Sequence, residues 1–253
     1  MGVTGRKFPH WELVAMLLRL KRMRHGRMGD GREEELVEHV LAVAAPGDPD
    51  AAIAAVDQFA ARPNRFLINI GAEKGAILER AVGRARPTRL LELGTYCGYS
   101  AMRIARSMPA GAHLWSVEPN PANADVARRI WEHAGLSGQV TAVVGALGDG
   151  GGTLRKLRER HAFGPGGLDF VLIDHAKNEY LPDLRRILAQ GWLHPGSVVV
   201  ADNVRIPGAP GYRAFMRANQ GRWWRTVEHA AHVEYQRLLP DLVLESEYLG
   251  GPA

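Results

Sequence analysis

Five short apolar runs alternate with amphipathic stretches between residues 89 and 219. The apolar runs predict β-strands, and the spacing of apolar residues between them predicts helices. The predicted strands cover 89–93, 113–117, 140–144, 168–173 and 197–201. The predicted helices lie near 99–108, 121–135, 150–162, 179–190 and 209–219. This alternation indicates an α/β fold, in which right-handed crossovers build a parallel sheet covered by helices on both faces.

Further elements flank this alternating region. Helical spacing runs from Arg32 to Ala44, from a cap at Asp50 to about Ala61, and from Ile70 to Arg84. Near the other end, residues 223–229 and 242–249 are rich in apolar side chains and have no good helix between them. These two runs predict an antiparallel hairpin at one edge of the sheet.

Composition limits the compartment and the partners. The 253 residues are 46% hydrophobic, which suffices for one domain with a full core and a modest extension. Cys97 is the only cysteine, so an internal disulfide is excluded and we expect a reducing, cytoplasmic location. Residues 1–32 hold eight Lys or Arg against two acids, which gives them +6 and leaves −1 on the rest. Because the main body is not basic, we expect no nucleic-acid partner.

The basic N-terminal extension, residues 1–32, contains an apolar patch between Trp11 and Leu20 that is followed by Lys21-Arg22-Met23-Arg24. The patch is too short for the roughly 20 residues of a membrane-spanning helix, and charges that follow it disfavour a signal peptide. Residues 8–27 suit a basic amphipathic helix that rests weakly on an anionic membrane. The alternatives are a helix packed on the domain or a tail, and both stay open here.

A glycine-spaced turn follows the first predicted strand. Gly94 and Gly98 let backbone approach a ligand where a Cβ would collide, and the helix begins near Ser100. The spacing differs from the G-x-G-x-x-G of dinucleotide folds. Glu118 ends the second strand, where an acid is placed to accept hydrogen bonds from ribose hydroxyls. The pattern therefore indicates a cofactor with a nucleoside, and S-adenosylmethionine fits it best.

Polar residues also follow the fourth and fifth strands. Asp174 begins the run Asp174-His175-Ala176-Lys177, and Asp202-Asn203 follow the next strand. Since the carboxyl ends of parallel strands share one edge of the sheet, we expect Asp174, Asp202 and Asn203 to converge there. Three oxygen ligands suit Mg²⁺, whereas Cys97 and the scattered histidines form no zinc spacing. The sequence predicts a magnesium site beside the cofactor.

These motifs together resemble the catechol O-methyltransferase family. The similarity rests on the run 92–100, on Asp174-His175-Ala176-Lys177 with Tyr180-Leu181-Pro182-Asp183, and on Ala201-Asp202-Asn203 followed by Pro207-Gly208-Ala209-Pro210. It extends from about Glu33 to Leu249, so residues 33–253 are expected to form one methyltransferase domain. The resemblance implies a Rossmann-like, seven-stranded fold and methyl transfer from S-adenosylmethionine to one hydroxyl of a catechol chelated by Mg²⁺.

The resemblance also implies roles for individual residues. Cofactor-binding residues would be Ile70, Glu92, Gly94, Tyr96, Ser100, Glu118, Pro119, Ala146, Leu147 and Asp174. The metal ligands would be Asp174, Asp202 and Asn203, and Lys177 would act as the base. Substrate-binding residues would be Lys177, Asn203, Glu234, Phe66, Ile68 and Pro207, with Glu234 accepting the second hydroxyl.

The sequence departs from the family pattern near the adenine, and other functions stay open. Ala176 stands where a tryptophan usually packs on the ring, and Leu147-Gly148 replace a serine and a glutamine. Cation-dependent enzymes that act on caffeoyl thioesters have a similar Asp, Lys and Asp-Asn set, although the run from Tyr180 to Asp183 favours the small-catechol type. A non-catalytic, membrane-associated partner that retains the fold is the other alternative.

Overall fold

The computed structural model describes residues 27–234 and 236–251. Within them, seven strands form one sheet in the order β3-β2-β1-β4-β5-β7-β6. The first five strands are parallel, and β7 pairs antiparallel with both β5 and β6. The strands are β1 Arg89–Leu93, β2 His113–Glu118, β3 Val140–Val144, β4 Leu168–Ile173, β5 Leu193–Ala201, β6 Trp224–Val233 and β7 Gln236–Tyr248. The predicted mostly parallel sheet with an antiparallel hairpin at one edge is confirmed.

Eight α-helices surround the sheet in the described part of the chain. They are α1 Arg32–Val43, α2 Pro49–Ala60, α3 Gly71–Ala85, α4 Tyr99–Ala105, α5 Pro121–His133, α6 Gly152–His161, α7 Tyr180–Ala189 and α8 Pro210–Ala218. A short 3₁₀ turn, Lys177–Glu179, precedes α7, and a π turn, Val204–Gly208, precedes α8. These two turns lie against each other after β4 and β5, where the polar residues of the predicted site were expected.

Alternation along the strands separates two cores. Leu90, Phe170 and Val200 pack beneath α1 to α5, whereas Leu91, Val171 and Val199 pack beneath α6 to α8. All six side chains are fully buried, so helices cover both faces of the sheet as predicted. Burial on both faces explains why these strands appear as nearly continuous apolar runs in the sequence.

The ends of several elements differ from the predictions. The cap of α2 is Asp48 rather than Asp50, because Pro49 occupies the first helical position and the Asp48 carboxylate accepts from the amides of Asp50 and Ala51. Strand β5 begins at Leu193, four residues before the predicted start at Ser197. The hairpin strands are also longer than the predicted runs, since polar residues on the exposed side of an edge strand weaken the apolar signal.

Part of the predicted N-terminal extension packs on the domain. Met28 is 6% exposed, and its amide donates to Glu33 at 2.9 Å. The Arg32 side chain is buried and pairs with Asp30. Residues 1–26 lie outside the described residues, so a membrane-surface helix within 8–27, a helix packed on the domain and a tail all stay open. Among residues 27–234 and 236–251, no helix combines the length and apolar character needed to cross a membrane.

Candidate active site

The strand register aligns the predicted site residues. Leu93 pairs with Ile173, and Ile173 pairs with Ala201, so β1, β4 and β5 end at the same level. Gly94, Asp174 and Asp202 therefore follow one another across the carboxyl edge of the sheet. Open α/β sheets place their ligands at this edge, beside the point where strand order reverses. Here the reversal falls between β1 and β4.

Lys177 lies where the ends of β4 and β5 meet. Its Nζ donates to Oδ1 of Asp174 at 3.1 Å and to Oδ1 of Asn203 at 3.4 Å. The ammonium also donates a short hydrogen bond to the hydroxyl of Tyr180, and Nζ is 4.6 Å from the centre of that ring. Tyr180 is fully buried and donates to the backbone carbonyl of Asp202 at 3.0 Å. Lys177 thus contacts two of the three predicted metal-binding side chains directly and is linked through Tyr180 to the backbone of the third, Asp202.

Asp202 has one carboxylate oxygen engaged and the other free. Oδ1 accepts from Nζ of Lys74 at 2.9 Å and from the amide of Asn203 at 2.7 Å. Oδ2 is buried and has no hydrogen-bond partner among the described residues. Burial raises the pKa of Asp202. Repulsion from the Asp174 carboxylate raises it further, whereas attraction to the Lys74 ammonium opposes the rise. A buried carboxylate oxygen without a partner is costly, and a cation at Oδ2 would remove that cost.

The amide of Asn203 is oriented by two further acids, Asp241 and Glu234. Its Nδ2 donates to Oδ2 of Asp241 at 2.7 Å and to Oε1 of Glu234 at 3.3 Å, which leaves Oδ1 towards Lys177. Asp174, Asp202 and Asn203 therefore offer three oxygen atoms around one region, one of them unpartnered. Hard oxygen donors are the set that Mg²⁺ prefers, so these residues fit the predicted metal.

A cluster of three acids shares Asp202 with the predicted metal site and already surrounds the ammonium of Lys74. Carboxylate oxygens of Asp202, Glu234 and Asp241 lie within 4.8 Å of one another. The Nζ of Lys74 contacts Asp202 at 2.9 Å, Asp241 at 3.1 Å and Glu234 at a shorter distance. Burial alone would lower the pKa of Lys74, but attraction from Asp202 and Glu234 raises it. The ammonium fills the space between these acids, so the free oxygen of Asp202 is the better metal donor.

Sequence reasoning did not identify Lys74 and Asp241. They are 167 residues apart and form one buried hydrogen bond. Lys74 lies on α3, and its side chain is 1% exposed. The only sequence signal was a lysine among the apolar positions of an amphipathic helix, which predicts a buried cation but not its partners. Asp241 also accepts from the amides of Arg205 and Ile206, so it holds the turn that follows Asn203.

The glycine turn after β1 packs tightly against the protein itself. Gly94 has φ of 105°, and a Cβ there would lie 2.2 Å from the carbonyl oxygen of Asp174. Gly98 has φ of 79°, and a Cβ there would lie 2.4 Å from Nε1 of Trp131. Both positions therefore require glycine for close packing, in addition to the predicted approach of a ligand. The turn brings the loop after β1 into contact with the loop that carries Asp174.

Glu118 ends β2 as predicted and faces this turn. Its Oε2 accepts from the amide of Tyr96 at 3.0 Å, and its Oε1 accepts from the amide of Asn120 at 2.9 Å. The residue is 5% exposed, and burial raises its pKa although these hydrogen bonds oppose the rise. Oε1 also accepts from Nδ2 of Asn123 at 3.4 Å, so the remaining capacity to accept from a ribose hydroxyl lies mainly at Oε2. The hydroxyl of Tyr96 is directed elsewhere and donates to Glu33 at 3.1 Å.

Glu92 lies deeper than the other predicted cofactor residues. It is fully buried, and its two oxygens accept short hydrogen bonds from Ser100 and Ser116. Burial raises the pKa of Glu92 to about 8, with smaller contributions of the same sign from Asp174 and Glu118. The hydrogen bond between Glu92 and Ser100 therefore joins β1 to α4, the two elements that flank the glycine turn.

The remaining predicted residues differ in exposure. Ile70 and Leu147 are buried, Phe66, Ile68 and Ala146 are half-buried, and Pro119 and Pro207 are exposed. Glu234 comes close to the start of α3, since a Cβ on Gly71 would lie 3.4 Å from its Cγ. The structure thus brings Glu234 to Asn203 and Lys74, and its role at the second hydroxyl stays a prediction.

Comparison with known proteins identifies the family of this chain. The sequence model of the O-methyltransferase family matches residues 48–210. A probable O-methyltransferase of Mycobacterium tuberculosis is 59% identical over 225 residues, which is 89% of this chain and 95% of that protein. Bovine catechol O-methyltransferase is 36% identical over 250 residues, which is 98% of this chain and 88% of the bovine protein.

Solved structures share the fold. An O-methyltransferase from Bacillus cereus, crystallised with SAH, superposes with a TM-score of 0.62 at 21% identity, covering 85% of this chain and 97% of that one. The O-methyltransferase TomG from Streptomyces achromogenes, crystallised with SAM, gives a TM-score of 0.63 at 23% identity. The match covers 79% of this chain and 90% of TomG. The fold is therefore the Rossmann-like methyltransferase fold, and the chain belongs to the O-methyltransferase family.

Proposed function

We propose that this protein transfers a methyl group from S-adenosylmethionine to one hydroxyl of a catechol held by Mg²⁺. The observation that carries the proposal is the position of Lys177, whose Nζ contacts Asp174 and Asn203 beside the unpartnered Oδ2 of Asp202. This position next to three oxygen donors, at the ligand edge of the sheet, supports the proposal that Lys177 is the base. The likeness to bovine catechol O-methyltransferase along nearly the whole chain supports the same acceptor class.

Asp174, Asp202 and Asn203 would hold the metal. When bound there, Mg²⁺ would lower the pKa of a chelated hydroxyl and fix the geometry of the acceptor. Asp241 has a separate task, because its hydrogen bond to Nδ2 keeps Oδ1 of Asn203 available as a donor. Lys74 has a corresponding task at Asp202, where it engages Oδ1 and leaves Oδ2 free.

Lys177, in the form in which Nζ is a neutral amine, would take the proton of the hydroxyl that receives the methyl group and become the ammonium. Tyr180 and Asp174 fix Nζ in position, which removes the entropy cost of placing a flexible lysine at each turnover. General-base catalysis of this kind contributes about 10²–10⁴ in rate. The methyl donor is a sulfonium cation, so transfer to an oxyanion neutralises both charges, and positioning supplies most of the remaining rate.

Glu234 would accept the second hydroxyl of the catechol. Its carboxylate already contacts Lys74 and the amide of Asn203, so its direction is fixed before substrate binds. Phe66, Ile68 and Pro207 would supply the apolar walls of the ring site. On the donor side, Glu118 would bind the ribose hydroxyls, and Ile70, Glu92, Tyr96 and Ser100 would line the methionine end.

A methyl-transfer assay with four acceptors tests the proposal. Catechol and a caffeoyl thioester are compared with phenol and resorcinol, which cannot chelate through neighbouring oxygens. We expect methylation of catechol that requires Mg²⁺ and disappears in excess chelator. Turnover of the thioester alone would assign the cation-dependent alternative. Full activity in excess chelator, or equal methylation of phenol, would contradict the proposal, and lack of turnover of every acceptor would favour the non-catalytic alternative.

A further inference from the structure

A cavity of about 490 Å³ opens between the Val204–Gly208 turn and helix α8. Its apolar lining includes Val204, Pro207 and Ala214. Its charged lining consists of three arginines, Arg205, Arg213 and Arg217. Among the described residues that line the cavity, none is acidic. The cavity thus combines an apolar surface with a cationic one.

The arginines carry more positive charge than their neighbours neutralise. Arg213 and Arg217 share one carboxylate, that of Glu228, at 2.8 and 3.0 Å. Arg205 is exposed, and its guanidinium has no ion-pair or hydrogen-bond partner among the described residues. The group of three arginines and Glu228 therefore keeps a charge of +2, with unused N–H donors. A cavity with such a balance attracts an anionic group.

The cavity adjoins the candidate active site. Val204 directly follows Asn203, and Pro207 is also a predicted wall of the catechol site. The same turn lies against the 3₁₀ turn that begins at Lys177. Asp241 holds the turn through the amides of Arg205 and Ile206, so the backbone under Arg205 is fixed relative to Asn203. A substituent on a catechol ring held against Pro207 would thus lie next to this cavity.

We propose that this cavity binds the acidic group of the methyl acceptor, which makes the preferred substrate a catechol with a carboxylate on a short apolar arm. The proposal rests on the proposed function, since it places the ring at the candidate active site. Val204, Pro207 and Ala214 contact the arm, and Arg205 and Arg213 bind the carboxylate. Arg205 and Arg213 would then determine specificity without touching the reacting atoms.

Matched acid and amide pairs provide the test. The acids are 3,4-dihydroxybenzoate, 3,4-dihydroxyphenylacetate and 3,4-dihydroxyphenylpropionate, and each primary amide has the same shape without the charge. Charge-assisted hydrogen bonds contribute about 1.5–3 kcal/mol, so kcat/KM for the best acid should exceed that of its amide by about 10- to 100-fold. Calorimetric affinities of the same pairs measure the preference independently of turnover.

Variants of the arginines show which residues cause the preference for acids over amides. Arg205→Met should reduce the acid-to-amide ratio of kcat/KM about 10-fold or more. It should leave the fold intact, because the exposed guanidinium has no partner in the described chain and the backbone amide that donates to Asp241 is kept. Arg213→Met should act in the same direction. Arg225→Met is the matched control, since Arg225 is an exposed arginine of β6 that pairs with Glu247 outside the cavity. Its acid-to-amide ratio should match that of the wild type.

The outcomes separate the proposal from the proposed function. Methylation of acids and amides at equal rates, with equal calorimetric affinities, would overturn the subsite and leave the catechol activity standing. Binding of inorganic phosphate that Arg205→Met abolishes, combined with equal affinities for acid and amide, would assign the cavity to a separate anion and also overturn the proposal. Tighter binding of acids without methylation of any catechol would support the subsite and contradict the proposed function.

Discussion

Replacement of Lys74 by methionine tests the buried charge cluster that supports the candidate metal site. Methionine keeps the length and apolar stem of the side chain but removes the ammonium. Asp202, Glu234 and Asp241 would then keep carboxylate oxygens within 4.8 Å of one another without the cation between them. Removing one partner of a buried ion pair costs about 3–5 kcal/mol, a large part of the roughly 5–15 kcal/mol that stabilises a typical domain.

Urea unfolding followed by circular dichroism measures this loss. With a slope of about 3 kcal/mol per molar urea, at the upper end for small proteins, the midpoint should fall by about 1–2 M. Lys156→Met is the matched control, because Lys156 makes one hydrogen bond to the carbonyl of Val144. That variant should lose only about 0.5–1.5 kcal/mol. Equal losses in the two variants would refute the argument that Lys74 neutralises the buried acids.

The pH dependence of the same variant gives a second check. Lys74 lowers the pKa values of Asp202 and Glu234, which burial raises above their ordinary ranges. Without Lys74 these pKa values rise further, so the folded state binds protons that the unfolded state does not hold. Stability of the variant should therefore increase as pH falls towards the ordinary range of carboxyl groups, and the deficit relative to wild type should shrink. A deficit that is the same at pH 5 and pH 8 would contradict this explanation.

Three further predictions concern the cofactor side of the site. Glu118→Ala should weaken S-adenosylmethionine binding by about 1–3 kcal/mol in calorimetry, because charged hydrogen bonds to the ribose are lost, and unchanged affinity would remove Glu118 from the site. Ala176→Trp should tighten cofactor binding in the same titration, since it adds a stacking surface at an exposed position, and equal or weaker binding would show that the space is filled otherwise. The raised pKa of Glu92, about 8 in the folded state against 4.5 for an ordinary glutamate, predicts that wild type loses stability as pH rises between these values. Glu92→Gln should lack this decrease in thermal unfolding at pH 5 and pH 9, and parallel behaviour of the two proteins would contradict the assignment.

Most of the fold could be predicted from the sequence because both faces of the sheet are covered. Strands such as Leu168–Ile173 have to be apolar on each side, which produces short runs that contrast with the helices between them. The ends of helices and strands were predicted less well where a local interaction, rather than the apolar pattern, determines them. Because Pro49 occupies the first helical position, the cap is Asp48 rather than the predicted Asp50. Polar residues on the exposed side of the hairpin made the predicted β6 shorter than the observed strand.

The candidate site was predictable as far as strand ends determine it. Asp174, Asp202 and Asn203 follow β4 and β5, so topology alone brings them to one edge. The contacts that orient them could not be predicted in this way. Lys74 reaches Asp202 from α3, and Asp241 reaches Asn203 from β7, through tertiary packing that has no local pattern in the sequence.

Replacement of Lys177 by alanine tests the central claim most directly. If Nζ takes the hydroxyl proton, kcat for catechol methylation at neutral pH should fall by roughly 10²–10⁴, with S-adenosylmethionine affinity nearly unchanged. Raising the pH should partly restore the rate, because a chelated catechol can ionise without the base. If Lys177 were only a surface partner of Asp174, its removal would cost about 0–1 kcal/mol of stability. A variant that methylates catechol at nearly the wild-type rate at neutral pH would contradict the account.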